Sequence, residues 1–286
     1  MIAPTFGPEA QVSAAFARSA AQRRAAFLPF LVAGDPNALV SSELVAATVR
    51  GGADLIELGI PFSDPLADGP VVAQASSRAL AGGMSLDGAM RLARGLGKRL
   101  GAVPLLAFTY YNVLFARGLE RAAQALAASG FAGAVVPDVP FEESEPLRTA
   151  FARFGLVVPM FVSPTTPHAR AAQIADAASG FIYLVSRVGV TGTHAGSDAV
   201  EERIERLRRC TDKPIVAGFG VAGAAQATRL ARVADGVVVG SALVARAAAA
   251  RTPAQAVDAV EDLCRELAAA CSRDEQRVGT RAAGGC

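Results

Sequence analysis

The feature that most constrains this chain is a repeating alternation. Short apolar runs recur eight times, and each is followed by a longer Ala-, Leu- and Arg-rich stretch with helical spacing. The strand candidates are residues 27–33, 53–60, 103–110, 133–138, 156–162, 180–186, 214–218 and 236–240. Helical patterns between them include 38–51, 86–100, 119–129 and 144–154. Strands separated by helices pair in parallel, because each crossover returns the chain to the same end of the sheet. Eight such units, with no linker-like shift in composition, predict an α/β fold: a single (β/α)8 TIM barrel over residues 1–271. A doubly wound sheet more often has fewer strands and a GxGxxG turn after its first strand, and that turn is missing here.

Composition agrees with a globular enzyme. Of 286 residues, 52% are hydrophobic and 19% charged, with a formal net charge of +2. So small a charge gives no electrostatic footprint for nucleic acid or a membrane surface. No apolar run approaches the roughly 18 residues expected of a membrane span. Residues 11–25 read as a short amphipathic helix leading into the first strand. The Ala-rich stretch with Arg18, Arg23 and Arg24 also has the composition of a transit peptide. Cys210, Cys264, Cys271 and Cys286 show no CxxC spacing, and His168 and His194 complete no zinc set. This usage points to a reducing, cytoplasmic setting and to no metal. Residues 272–286 are polar and aperiodic, and are expected to form a disordered tail.

In a barrel of this kind the chemistry sits at the C-terminal ends of the strands. The second strand candidate carries Glu57 inside an apolar run. Period-two alternation places Leu55, Glu57 and Gly59 on one face and the bulky Ile56, Leu58 and Ile60 on the other. The bulky face suits the helices, so Glu57 is expected in the lumen, with Gly59 leaving space above it. A carboxyl in such surroundings has a raised pKa, which suits an acid–base residue near neutral pH. The alternative is a structural ion pair. Alternation likewise turns Phe108, Tyr110, Phe181 and Tyr183 inward, either as core filling or as a pocket lining with hydroxyls at its rim. Asp138, ending the fourth strand candidate, is either a site residue or a loop cap.

The long segment after the second strand, residues 61–70, holds three prolines and two acids, Asp64 and Asp68. Asp64 reads as a turn former. Asp68 can reach over the lumen and face Glu57 across a substrate, and two carboxyls in different environments can divide labour. Residues 186–193, Gly- and Thr-rich, suit a lid. Gly218, Gly220, Gly240 and Ser241 lie at the ends of strands seven and eight, where backbone N–H groups commonly hold phosphate in this fold.

These residues fall in segments that resemble one family. LIELGIPFSDPLADGP (55–70) is similar to the signature of tryptophan synthase alpha chains. FLPFLVAGDP (27–36), VVPDVPFEES (135–144), FIYLVSRVGVTG (181–192), VAGFGV (216–221) and VVVGSALV (237–244) resemble that family's other blocks, in order. The resemblance runs from about residue 16 to residue 267.

It implies retro-aldol cleavage of indole-3-glycerol phosphate to indole and D-glyceraldehyde 3-phosphate, late in tryptophan biosynthesis, without cofactor or metal. By the same resemblance Glu57 is the acid–base that protonates indole C3. Asp68 holds the indole N–H and balances the charge, and Tyr183 is the tyrosine of strand six. Phe30, Phe108, Tyr110 and Asp138 match positions lining the indole pocket or abutting the partner-side loops. Gly192, Phe219, Gly220, Gly240 and Ser241 match the phosphate site, and Thr191 matches the lid threonine. The implied partner is a pyridoxal-phosphate-bearing beta chain in an α2β2 heterotetramer, which receives indole through a tunnel. The alternative is a stand-alone lyase that releases free indole. Val113 and Val188 depart from the usual family residues, a departure that bears on the lid and partner contacts rather than on Glu57 or Asp68.

Overall fold

The computed structural model describes residues 7–185, 198–218 and 220–273. Eight parallel strands, β1 (Ala26–Val32), β2 (Ile56–Gly59), β3 (Leu105–Phe108), β4 (Phe131–Val135), β5 (Met160–Val162), β6 (Ile182–Val185), β7 (Ile215–Gly218) and β8 (Gly236–Val239), form one sheet. Its order is β4-β3-β2-β1-β8-β7-β6-β5. The two ends meet just before β5. Val157 donates its N–H to the Ala132 carbonyl at 3.0 Å, and its own carbonyl accepts from Ala134 at 2.9 Å. Gly133 makes this seam possible, because a Cβ there would lie 2.2 Å from the Val157 carbonyl oxygen. The sheet thus closes into the expected (β/α)8 barrel.

Alternation sorts the side chains as the sequence implies. Leu28, Phe30, Leu55, Leu106, Phe108, Phe181, Tyr183, Val216 and Val238 pack together inside the barrel. Phe27, Leu31, Ile56, Leu58, Ala107, Ile182, Leu184 and Val237 join the layer between strands and helices. The helix Pro8–Ala21 closes the N-terminal mouth, sending Val12, Ala15 and Phe16 into the inner cluster. Phe16 meets Phe181 with ring centroids 5.6 Å apart. Below the lumen, Asp54 takes a two-pronged ion pair from Arg24 and accepts the Phe27 N–H at 2.8 Å. The outer helices begin where short polar side chains can satisfy their first N–H groups. Asn37, Ser85 and Thr252 accept from Val40, Gly88 and Gln255.

Three expectations change. The pattern over 86–100 is a helix, Leu86–Leu96, followed by a 3-10 turn, Gly97–Leu100; Gly97 has φ 40°, which ends the regular spiral. β4 starts two residues earlier than expected and stops at Val135, before Pro137, which lacks the N–H a further rung needs. Its register also shifts between Leu105 and Leu106 on β3. The tail does not begin at residue 272. Ser272 bridges Arg24, and Arg273 donates to the Ala231 carbonyl at 2.8 Å. The lid segment, with Thr191 and Gly192, lies outside the described residues, as do Phe219 and residues 274–286.

Candidate active site

Glu57 sits in the middle of β2, level with Phe30 on β1 and Leu106 on β3. It is fully buried. Among the described residues, the Tyr183 hydroxyl is the polar group that reaches its carboxyl. Burial therefore dominates and pushes its pKa from 4.5 up to about 8, opposed only in part by the Tyr183 hydroxyl. The influence is mutual. Burial and the neighbouring Glu57 carboxyl raise the Tyr183 phenol well above 10, so this hydroxyl keeps its proton.

Tyr183 is fixed from two sides. The Phe161 ring stacks on it at 4.6 Å between centroids. Gly218 at the end of β7 gives way to it, since a Cβ there would lie 2.7 Å from the Tyr183 hydroxyl and ring. The space expected above Glu57 beside Gly59 is instead filled by the Phe30 ring, 2.7 Å from where a Gly59 Cβ would stand. Phe30 in turn packs edge-on against Phe108 at 5.3 Å. The result is an aromatic-walled lumen with one uncharged acid at its floor.

Asp68 stands at the rim, in the segment between β2 and the helix Pro70–Ala81, and is partly buried. Its N–H donates to the Pro65 carbonyl at 3.0 Å. Tyr110, at the end of β3, anchors the loop: its hydroxyl accepts the Ala67 N–H at 3.0 Å, and its ring stacks on Phe62 at 5.2 Å. Burial raises Asp68 from 3.8 to about 6, and a hydrogen bond from Tyr110 works against that rise. Asp64 is exposed at the tip and accepts from Ser63. Near neutral pH the two carboxyls differ in charge: Glu57 is largely protonated and Asp68 largely ionised.

At the opposite rim, Gly220 follows β7 with φ 86°. Gly240 leads into the helix Ser241–Ala248, whose first turn receives no side-chain cap among the described residues. Its N-terminal N–H groups are thus available to an anion. Asp138 adjoins the Tyr110 end of the site, where its charge acts on the Tyr110 phenol. It lies three residues past β4, is exposed, and accepts the Tyr111 N–H with both oxygens at 2.9 and 3.1 Å, capping the helix Tyr111–Arg117. Sequence reasoning did not single out Phe161, although the alternation that turns Val157 inward also turns Phe161 inward. Among the described residues no group of three or more His, Cys, Asp or Glu side chains is arranged to hold a metal ion.

The chain matches the family described as tryptophan synthase alpha chain over residues 16–272. It is 43% identical to the tryptophan synthase alpha chain of Prochlorococcus marinus over 268 residues, covering 93% of this chain and 97% of that one. Against the tryptophan synthase alpha chain of Synechocystis the identity is 45%, with 91% and 99% covered. Among solved structures, a protein of Aquifex aeolicus superposes with a TM-score of 0.85 at 32% identity, covering 94% of this chain and 100% of that one. A chain of Mycobacterium tuberculosis tryptophan synthase gives 0.82 at 30%, covering 92% and 98%.

Proposed function

As a member of the tryptophan synthase alpha chain family, this chain is a carbon–carbon lyase of indole-3-glycerol phosphate, and we propose that Glu57, Asp68 and Tyr183 carry the step. The substrate's phosphate rests on the backbone N–H groups at Gly220 and at Gly240–Ser241, with Gly192 and Phe219 completing that end. Its indole ring lies among Phe30, Phe108 and Tyr110. Protonated Glu57 delivers its proton to indole C3, which turns the ring into an indoleninium cation. Asp68, ionised, faces the ring N–H and offsets the positive charge. The bond between C3 and the glycerol carbon then breaks. Its electron pair returns to the ring, and the hydroxyl on the departing carbon becomes the aldehyde as it loses its proton. Glu57, now a carboxylate held by the Tyr183 hydroxyl, takes that proton and is restored. Thr191, outside the described residues, matches the family's lid threonine by resemblance.

One observation carries this reading. Glu57 is buried in the lumen and Asp68 is half-buried in the segment after β2. Burial raises the first to about 8 and the second to about 6, so acid and counter-charge coexist near neutral pH. The assay is indole release from indole-3-glycerol phosphate. Glu57→Gln is expected to lower kcat on the order of 10²–10⁴-fold, the usual worth of a positioned acid–base group. Asp68→Asn is expected to lower kcat as well; an effect confined to KM would reduce Asp68 to a binding group. A Glu57→Gln enzyme that kept most of its activity would overturn the assignment.

The partner in this proposal is a tryptophan synthase beta chain, in an α2β2 assembly. Leu66, in the segment after β2, is 90% exposed, and Phe115, on the helix Tyr111–Arg117, is 62% exposed. Large apolar side chains at the catalytic end of a barrel suit burial by a second subunit. A cytoplasmic location fits this reading: no helix among the described residues is long and apolar enough to cross a membrane, and Cys210, Cys264 and Cys271 form no disulfide.

A further inference from the structure

A second cluster of reactive side chains lies on the outer wall of the barrel. β5 and β6 turn Phe161 and Tyr183 toward the lumen, and turn Val162 and Leu184 outward onto a small cavity of about 30 Å³. The cavity is roofed by the helices His168–Ala177 and Asp198–Arg208, and its rim carries Ser163, Thr166, Arg203, Arg206 and Cys210. The Cys210 sulfur lies 3.1 Å from His168 Nε2 and 3.6 Å from the Arg206 carbonyl oxygen. Arg203 faces the same cavity. Its Nη1 is shut off from solvent and has no hydrogen-bond partner among the described residues. Burial, with the like charge of Arg206 adding to it, holds its pKa below the ordinary arginine value. A buried guanidinium nitrogen without an acceptor is costly, and an oxygen placed in the cavity would relieve it.

The chemistry of the cluster is directional. His168 Nε2, 3.1 Å from the sulfur, is placed to accept the thiol proton as the sulfur reacts. The cavity has room for a molecule not much larger than water, which admits a small hydroperoxide.

We propose that Cys210 is a site of reversible oxidation by small hydroperoxides. The sulfur attacks one peroxide oxygen as His168 takes the thiol proton, the O–O bond breaks, and a sulfur–oxygen bond forms. The departing hydroxide, or alkoxide, takes the proton held on His168 and leaves as water or an alcohol. Sulfur is oxidised by two electrons and the peroxide is reduced by two. The sulfenic oxygen then accepts from Arg203 Nη1. A low-molecular-weight thiol returns Cys210 to its reduced state through a mixed disulfide.

The test uses the full-length protein with hydrogen peroxide as probe and a 1,3-dicarbonyl trap for sulfenic acid, with the label on the Cys210 peptide followed by mass spectrometry. The reference is an unfolded peptide of residues 203–214, which keeps the same neighbouring arginines in sequence. Cys210 in the protein is expected to label roughly tenfold faster than in the peptide. His168→Asn, a change at an exposed position, is expected to remove most of that gain. Arg203→Gln is expected to lower the yield of label when the trap is added after the peroxide, because the sulfenic acid is shorter-lived. Labelling no faster than the peptide, or an unchanged rate in His168→Asn, overturns the proposal. Indole release by both variants reports that the fold is kept. The inference stands apart from the catalytic reading, because it is measured without substrate.

Discussion

Replacing Glu57 by glutamine separates the cost of burying this acid from its chemistry. In the unfolded chain a glutamate ionises near 4.5, whereas in the folded protein Glu57 holds its proton to about 8. Below pH 4.5 the carboxyl is protonated in both states and contributes no pH-dependent difference. Between 4.5 and 8 the unfolded state sheds the proton and the folded state keeps it, so stability falls as pH rises. Above 8 both states are ionised and the loss levels off. Each pH unit of this interval is worth about 1.4 kcal/mol, so the loss reaches ~3 kcal/mol at pH 7 and ~5 kcal/mol above pH 8. Glutamine removes this dependence. It adds only a constant offset, because its amide does not titrate.

Urea unfolding of wild type and Glu57→Gln at half-unit steps from pH 4 to 9 measures the difference directly. Asp68 and the other titrating groups are common to both proteins and cancel. The variant is expected to gain on wild type steadily from pH 4.5 to 8. A difference that stays flat between pH 5 and 8 would mean that Glu57 is ionised and paired in the folded state. The account of the acid would then fail.

Other consequences are local. Tyr110→Phe removes the acceptor for the Ala67 N–H and the hydroxyl that lowers the Asp68 pKa; the acidic limb of the rate profile should move to higher pH, with KM raised as the loop loosens. Gly218→Ala puts a methyl 2.7 Å from the Tyr183 ring and hydroxyl. A shifted tyrosine should lower kcat by roughly one to two orders of magnitude and cost about 1–3 kcal/mol of stability from overpacking, read from indole release and urea midpoints. Gly133→Ala collides with backbone at the barrel seam, 2.2 Å from the Val157 carbonyl oxygen. It is expected to destabilise more strongly than Gly218→Ala, because a carbonyl in a closing ladder has nowhere to move.

Much of this arrangement was legible before any coordinates. The direction of Glu57 followed from the two-residue period of a strand flanked by bulky neighbours, a signal that depends only on local geometry. The loop carrying Asp68 announced itself by its prolines. What alternation alone did not resolve were contacts made between distant strands. The Phe30 ring fills the space beside Gly59 because β1 and β2 run in register there, which neither segment states by itself. Asp138 was open to two readings, and its cap on Tyr111 depends on how β4 ends against the turn after β3. The stack of Phe161 on Tyr183 was within reach of the same period-two argument, since Val157 and Phe161 share a face. The expected strand over 156–162 obscured it, because only Met160–Val162 is regular strand and the Val157 seam stands apart.

The central claim is that Glu57 works as a protonated acid beside an ionised Asp68. The most direct measurement is the pH dependence of kcat/KM for indole release by the wild-type enzyme. The rate should rise as Asp68 loses its proton near pH 6 and fall as Glu57 loses its own near pH 8, giving a bell with its maximum close to neutrality. In Glu57→Gln the residual activity should lose the alkaline limb. A wild-type rate that keeps rising through pH 8 and 9, or an alkaline limb that survives in Glu57→Gln, would contradict the account.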